Sequence, residues 1–295
     1  MVLNEKQCNL LFHNGAKCFC LIETRYDLLA LFSFLVASTD NFPMGITAQL
    51  LKKLKPRSLR NKWLSFVLRG KEVECPCCNR QFITFLPAGL QKRANAQCVN
   101  CGSLERHRII WMYLKKETGF FTSSLKVLNP APEKLFYTKL RTMSNIEYTS
   151  IDLYPEKYDY GSKTIKMDLT DLQFVENSFD VVLCNHVLEH IPNDAKAISE
   201  MYRVLNKDGW AIINVPVDHT RETTFEDLTI DNPQQQLELF GQPDHVRVYG
   251  KDYVNRLKHA GFTVEVIDYA ERFTHNEMFK YGMLKGREIY LCTKK

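Results

Sequence analysis

No long apolar run occurs in this sequence. Its most apolar stretch, residues 28–37, is about ten residues, half of the roughly 20 that a membrane-spanning helix needs. Glu23, Arg25 and Asp27 flank it, so a buried helix is expected there, with an interfacial helix as the alternative. The first ten residues hold Glu5 and Lys6 but no basic stretch leading into an apolar one. No secretory signal is read there, and a cytoplasmic location is expected. Internal repeats and low-complexity segments are missing as well, which sets repeat arrays aside. A strong charge of either sign is also missing: the net charge is +5 over 295 residues, which is not the footprint of a dedicated nucleic-acid binder. What is present is ordinary for a globular protein, 45% hydrophobic and 25% charged residues, enough for one large domain or a domain plus a small module. The basic excess is local. Residues 52–71 carry eight Lys or Arg and no Asp or Glu, mixed with Trp63, Phe66, Val67 and Leu68. That pattern fits an amphipathic basic helix or a solvated helix face. A further helix is expected at residues 28–35 and a loop at 41–45.

Cysteine is abundant but uneven: five of the ten fall between Cys75 and Cys101. Cys75-Pro-Cys-Cys78-Asn and Cys98-Val-Asn-Cys101-Gly are two Cys-x-x-Cys turns. Such half-sites indicate a metal in a reducing compartment rather than a disulfide framework. Each turn sets two thiolates on one side of an ion, and Asn79 and Gly102 tolerate the positive φ of a tight turn. The expected ligands are Cys75, Cys78, Cys98 and Cys101, the ion zinc, and the role structural, because four cysteines leave no open position. Cys77 is expected to point away, and residues 81–87 to form a short hairpin between the pairs. Arg106, His107 and Arg108 follow directly, either as an anion site or as a polar helix face.

From residue 126 short β-branched runs alternate with helical stretches, the pattern of a parallel sheet with crossover helices. Strands are expected at 126–128, 147–151, 164–167, 180–184, 210–215, 263–268 and 288–293. Helices are expected at 106–116, 133–142, 193–205 and 252–260. Ile198, Met201, Tyr202 and Leu205 form one stripe of the third, with Asn193 or Asp194 as its cap and Gly209 as its end. The fold class predicted is α/β: a Rossmann-like, seven-stranded, mostly parallel sheet preceded by a four-cysteine zinc ribbon and a mainly helical N-terminal segment. The segments are residues 1–73, 74–104 and 105–295.

Ligands of such sheets bind at the carboxyl ends of the strands. Asp152 ends the second strand, 23 residues after Asn129, a spacing that suits a carboxylate on ribose hydroxyls. Asp168-Leu169 ends the third strand and Asn185-His186 the fourth. The first turn, Val127-Leu-Asn-Pro-Ala-Pro-Glu133, contains no glycine. Residues 126–218 resemble class I S-adenosylmethionine-dependent methyltransferases. The segment Asn177-Ser-Phe-Asp-Val-Val-Leu-Cys-Asn-His-Val-Leu-Glu-His-Ile191 is similar to the fourth-strand signature of their small-molecule subgroup, and Arg203-Val-Leu-Asn-Lys-Asp-Gly209 to the turn into the fifth strand. Residues 74–293 resemble a zinc-ribbon subfamily, mostly bacterial and uncharacterised, through Gly102-Ser-Leu-Glu-Arg-His-Arg108, Ala131-Pro-Glu133 and Phe240-Gly-Gln-Pro-Asp-His-Val-Arg-Val-Tyr-Gly250. That subfamily has an Ala-Pro-Glu turn where the wider class has glycines. The resemblance implies S-adenosyl-L-methionine as cofactor. Asp152 and Leu153 would lie at the ribose and Asp168 and Leu169 at the adenine; Asn129, Ala131 and Glu133 would line the methionine tail, with Glu133 near its ammonium, and Asn185 would be a further cofactor contact.

His186, Glu189 and His190 are candidate general bases at the mouth of the fourth strand, with a helix-start pair that serves packing as the alternative for Glu189 and His190. His245 and Arg247, two residues apart and on one face of an extended segment, are candidate substrate contacts, Arg247 for an anionic acceptor. His219, Arg221, Glu222, Glu226 and Asp227 make a polar loop placed to act as a lid. The fourth strand does not end in an Asn-Pro-Pro-Tyr-like turn, which argues against methylation of an exocyclic base amine. The leading expectation is a small-molecule methyltransferase. The alternatives are an RNA methyltransferase that uses the zinc module and basic segment to hold RNA, and a non-catalytic binding protein on the same fold. The acceptor and the oligomeric state are not legible.

Overall fold

The computed structural model describes residues 57–89, 91–158 and 163–295, nearly all in the compact unit Asn61–Lys295. The helix expected at 28–35, the loop at 41–45 and the start of the basic stretch lie outside the described residues. Among the described residues no helix is long and apolar enough to cross a membrane.

The rest of the basic stretch contains α1 (Arg57–Val67). Leu64 and Leu68 are buried, while Trp63 and Phe66 are exposed. Two antiparallel hairpins follow: β1 (Arg69–Cys75) with β2 (Arg80–Phe82), and β3 (Leu86–Ala88) with β4 (Arg93–Gln97). The hairpin expected over 81–87 is not formed. Those residues run from one hairpin to the other, because Gln81 pairs back to Glu74 and Leu86 forward to Gln97. The first Cys-x-x-Cys turn is itself the bend of a hairpin, and the second follows directly on a strand.

Helix α2 (Glu105–Glu117) is the helix expected at 106–116. It buries every residue from His107 to Leu114, so it runs through the interior between the cysteine module and the sheet. The sheet is built from β5 (Leu125–Pro130), β6 (Ile146–Asp152), β7 (Ile165–Lys166), β8 (Phe179–Asn185) and β9 (Leu205–Asn214), with α3 (Lys134–Leu140) and α4 (Asp194–Val204) as crossover helices. Then come β10 (Phe225–Glu226), α5 (Pro233–Phe240), β11 (Arg247–Val248), α6 (Tyr253–His259), β12 (Thr263–Ile267), α7 (His275–Tyr281) and β13 (Ile289–Thr293). The seven-stranded order is β7-β6-β5-β8-β9-β13-β12. β5 through β9 pair in parallel, and β13 runs antiparallel to both of its neighbours. This is the predicted Rossmann-like, mostly parallel sheet.

Local chemistry explains the central elements. Val181–Cys184 is fully buried, as a parallel strand covered on both faces requires. α4 starts where the Asn193 side chain accepts the Lys196 N–H, which satisfies one orphan donor of the first turn. Its Ile198 and Met201 are wholly buried, contributing about 1.5–3 kcal/mol each. Gly209 does not close this helix. The chain leaves α4 at Val204 and enters β9 at once, with an irregular register between Phe179 and Val181. A Cβ at Gly209 would stand 2.9 Å from the Asn206 carbonyl oxygen and 3.0 Å from that of Asp180. Close approach, not a helix cap, calls for glycine there.

Strand order reverses between β5 and β8: β6 lies beyond β5 on one side and β9 beyond β8 on the other. At such a switch point the loops diverge and leave a crevice at the carboxyl ends.

Candidate functional site

That crevice is a cleft of about 980 Å³. It is lined by the turn after β5 (Ala131, Glu133), the end of β6 (Asp152, Leu153, Tyr154), the loop after β7 (Met167, Asp168, Leu169) and the segment after β8 (Asn185, His186, Glu189, His190). The stretch from Phe240 to Val248, which includes Asp244, His245 and Arg247, closes the far side.

The glycine-free first turn works through Ala131. It takes φ +40°, a left-handed conformation unusual for a residue with a Cβ, while its N–H donates to the Ile151 carbonyl at 2.8 Å. The bend that glycine makes freely is imposed here by that bond. Glu133 forms the next wall. Its Oε1 accepts from Arg106 Nη2 at 2.5 Å and Nε at 3.0 Å, and His107 Nε2 is 2.5 Å away. The Leu104 N–H donates to His107 Nδ1, which directs the ring's own proton to the Glu133 side. Burial raises the carboxyl's pKa, but the opposing influence of His107 and Arg106 prevails and holds it at about 2. The other oxygen, Oε2, is buried without a partner. The triplet Arg106, His107 and Arg108 is therefore not an open anion site. The first two hold Glu133, and Arg108 is fully buried, donating to the carbonyls of Ala96, Ser103, Tyr281 and Gly282.

Asn129 does not line the cleft. It is buried in the sheet, where Nδ2 donates to the Leu183 carbonyl and Oδ1 accepts from the Tyr148 hydroxyl, so it clamps β5 to β8 and β6. The other residues expected at the cofactor do line the cleft. Asp152 is buried and its Oδ1 accepts the Tyr154 N–H at 2.7 Å. Asp168 is exposed, with Oδ1 accepting from the Thr170 N–H and hydroxyl. Leu153 is exposed and Leu169 buried beside them. Asn185 is buried and its Oδ1 has no partner.

His186 leaves β8 at φ +54°, its N–H still bonded to the Asn214 carbonyl. A residue with a Cβ held there stores strain of about 1–3 kcal/mol, of the kind found at functional sites. The bend turns the imidazole so that Nδ1 donates to Glu189 Oε1 at 3.2 Å. Glu189 is 1% exposed and its Oε2 has no partner. His190 Nδ1 donates to the Asp244 carbonyl at 3.1 Å, and its ring packs edge-on against buried His245 at 4.7 Å. Burial pushes the His245 pKa below the ordinary histidine range, against the pull of Glu189.

Arg247, expected to meet an anionic acceptor, is committed internally. It is 1% exposed, pairs with Glu226 at 2.9 Å, and donates to the carbonyls of Leu188, Ile191 and Pro192. The polar loop read as a lid is stapled too. β10 pairs with β11, Thr224 donates twice to Asp252 Oδ1, and Lys251 meets Glu222 at 2.6 Å. Sequence reasoning missed Asp244 and Tyr154 on the cleft wall. Neither falls in a recognisable spacing.

Apart from the cleft, the Sγ atoms of Cys75, Cys78, Cys98 and Cys101 all lie within 4.8 Å of one another. Cys75–Cys101 is 3.5 Å and Cys78–Cys98 3.8 Å. Four sulfurs around a tetrahedral zinc lie roughly 3.8 Å apart. Cys77 is outside the cluster, its thiol directed to the His107 carbonyl.

Comparison with known proteins gives a consistent picture. Residues 135–213 match a methyltransferase domain family. An uncharacterized methyltransferase of Bacillus subtilis, YcgJ, is 34% identical over 76 residues, 26% of this chain and 28% of that protein. An uncharacterized protein of Methanocaldococcus jannaschii is 33% identical over 98 residues, 32% of this chain and 43% of that protein. The chain thus spans less than half the length of each of these curated relatives. Among solved structures, a Burkholderia thailandensis 1,6-didemethyltoxoflavin-N1-methyltransferase with bound 1,6-didemethyltoxoflavin and S-adenosylhomocysteine is similar at TM-score 0.41 and 13% identity, covering 65% of this chain and 78% of that one. The matched segment runs from α3 through most of β9, and the sheet order observed here is that of the class I methyltransferase fold.

Proposed function

We propose that this chain is an S-adenosylmethionine-dependent methyltransferase acting on a small-molecule acceptor, with a structural zinc in its four-cysteine module. The observation that carries the reading is the set of acceptor atoms in the cleft: the buried Asp152 carboxylate and the partnerless Oδ1 of Asn185 and Oε2 of Glu133. Buried polar atoms without partners are costly, and a ligand bearing an ammonium and ribose hydroxyls supplies donors of the kind they lack. The residues therefore fit the cofactor. Asp152 would hold the ribose, with Leu153 beside it. Asp168 and Leu169 would hold the adenine edge, and Ala131, Glu133 and Asn185 the amino-acid tail. When bound, the cofactor supplies an electrophilic methyl group on a sulfonium.

The chain's own residues do the rest. The cleft aligns the reactants, which is the main need of a methyl transfer. His186 lines the cleft and donates Nδ1–H to Glu189 Oε1, which leaves Nε2 as the unprotonated nitrogen, set to receive the acceptor's proton. The four thiolates require reduced cysteines, which suits the cytoplasm. A second reading, RNA as acceptor, draws on the exposed Trp63 and Phe66 beside Lys62 and Arg69. RNA binding that weakens steeply with salt would support it.

The test is calorimetric titration of zinc-loaded protein with S-adenosylmethionine. Micromolar binding is expected for the wild type, with a loss of roughly 100-fold in Asp152→Ala, the scale of two charge-assisted hydrogen bonds. No binding to folded wild type would overturn the reading.

A further inference from the structure

We infer that Glu189, His190 and His245 form a second metal site, in the wall of the cleft, that takes a divalent first-row transition ion through two imidazoles and one carboxylate. One ligand atom from each lies within 4.8 Å of the other two. Donors at about 2.1 Å from a shared ion are roughly 3.0–4.2 Å apart, so small side-chain rotations close the site.

Three further observations mark it as built for an ion. Glu189 is 1% exposed, and only one of its oxygens is used, by His186; Oε2 is buried with no donor against it. A mere packing pair of histidines would not explain that bare oxygen. Second, the His190 ring is oriented from behind. It donates Nδ1–H to the Asp244 carbonyl, which leaves Nε2 for a ligand, and it packs edge-on against the His245 ring. A carbonyl on the far nitrogen is the usual outer shell of a metal-bound histidine. Third, the two halves are one rigid unit although they are far apart in the chain. The Val246 N–H donates to the Glu189 carbonyl at 3.0 Å, and Arg247 ties down the carbonyls of Leu188 and Ile191 on either side.

The ligand set defines the ion. Imidazole and carboxylate suit manganese, iron, cobalt, nickel or zinc, unlike the thiolate cluster. Three protein ligands leave positions open, the arrangement of catalytic rather than structural sites. Glu189 and His190 follow β8 in the short turn Leu188–His190, and with His245 they line the same cleft as Asp152. If the proposed activity holds, the ion stands beside the acceptor, where it would lower the pKa of a coordinated hydroxyl. That use rests on the methyltransferase reading; binding of the ion does not.

The experiment titrates full-length protein carrying one equivalent of zinc, enough for the four thiolates alone, with Mn2+, read by its electron paramagnetic resonance signal, and with Co2+, read by visible absorption. The expected result is one saturable equivalent of either ion, with no thiolate charge-transfer band for Co2+. Affinity should fall roughly 100-fold or more in Glu189→Gln and in His245→Ala, and stay unchanged in His219→Ala. Circular dichroism checks the fold of each variant, and the nearly isosteric Glu189→Gln decides the matter if His245→Ala unfolds. No saturable binding of either ion, or binding undiminished in folded Glu189→Gln, overturns the inference. S-adenosylmethionine affinity is measured on the same wild-type preparation. Cofactor binding without metal sinks this site alone, and metal binding without cofactor sinks the proposed activity alone.

Discussion

Arg247 shows how much a side chain's meaning depends on its neighbours. An arginine two residues from a histidine at a cleft suggests an anion site, yet its guanidinium faces Glu226 and three backbone carbonyls. Arg256 shares the same acids, reaching Asp194 at 2.9 Å and Glu226 at 2.7 Å. Removing Arg247 strands the carbonyls of the segment from Leu188 to Pro192 and half the countercharge. Breaking a buried pair by deleting one partner costs about 3–5 kcal/mol. Arg247→Met is therefore expected to lower stability by about 3 kcal/mol, with Arg256 covering part of the loss. Urea denaturation should show a lower midpoint at unchanged slope. A drop below 1 kcal/mol, roughly the worth of an exposed pair, would mean that the guanidinium is not a structural tie. Glu133 makes the complementary point. Its position in the Ala-Pro-Glu turn was legible, but not that Arg106 and His107 would hold one oxygen and leave the other bare.

The legible elements were those whose burial is written in a run of side chains. β8 reads as a strand because Val181–Cys184 is apolar throughout, and α4 as a helix because its stripe keeps a helical period. β10 and β11 were not legible. Each is two residues long, and they exist only because distant segments meet, Phe225 against Val248 and Glu226 against Arg247. Gly250 holds that meeting together. A Cβ there would stand 2.6 Å from the Thr223 carbonyl carbon and 2.7 Å from its oxygen, backbone atoms that cannot rotate away. Gly250→Ala should push residues 221–226 away from the Gly250 backbone and cost about 1–3 kcal/mol, as overpacking does. The check is amide hydrogen exchange: faster exchange of the Thr224 and Gly250 N–H groups, both bonded in this staple, with β8 unaffected. Unchanged exchange would show that the loop does not depend on the close approach.

At the scale of the molecule, the cysteine module is welded to the C-terminal part of the domain. Arg108 joins Ala96 and Ser103 to Tyr281 and Gly282, Asn95 donates to the Phe279 carbonyl, and Lys280 meets Glu74 at 3.2 Å. Stripping the proposed zinc is thus expected to do more than loosen two hairpins. The binding energy of a structural zinc is folding energy, and the Arg108 contacts would share it with α7. Treatment with a strong chelator should lower the melting temperature and expose α7 to proteolysis, while the sheet keeps its circular dichroism. Two equivalents of metal removed, one from thiolates and one from imidazoles, would agree with two sites. Full stability after removal of thiolate-bound metal would show the module to be self-supporting.

The sequence by itself determined the sheet, its crossover helices and the four-cysteine set, because periodicity, apolar runs and Cys-x-x-Cys spacing are local properties of the chain. It also placed Asp152, Asp168 and Asn185 at strand ends, and the cleft collects them. Only the tertiary structure decided what each polar group faces. It buried Asn129 between strands, committed Arg106, Arg108 and Arg247 to internal partners, and brought His245 to within 4.8 Å of Glu189 and His190. The physical reason is that hydrogen bonds and ion pairs act over a few ångströms of space. Separation along the chain, 56 residues between Glu189 and His245, carries no record of them.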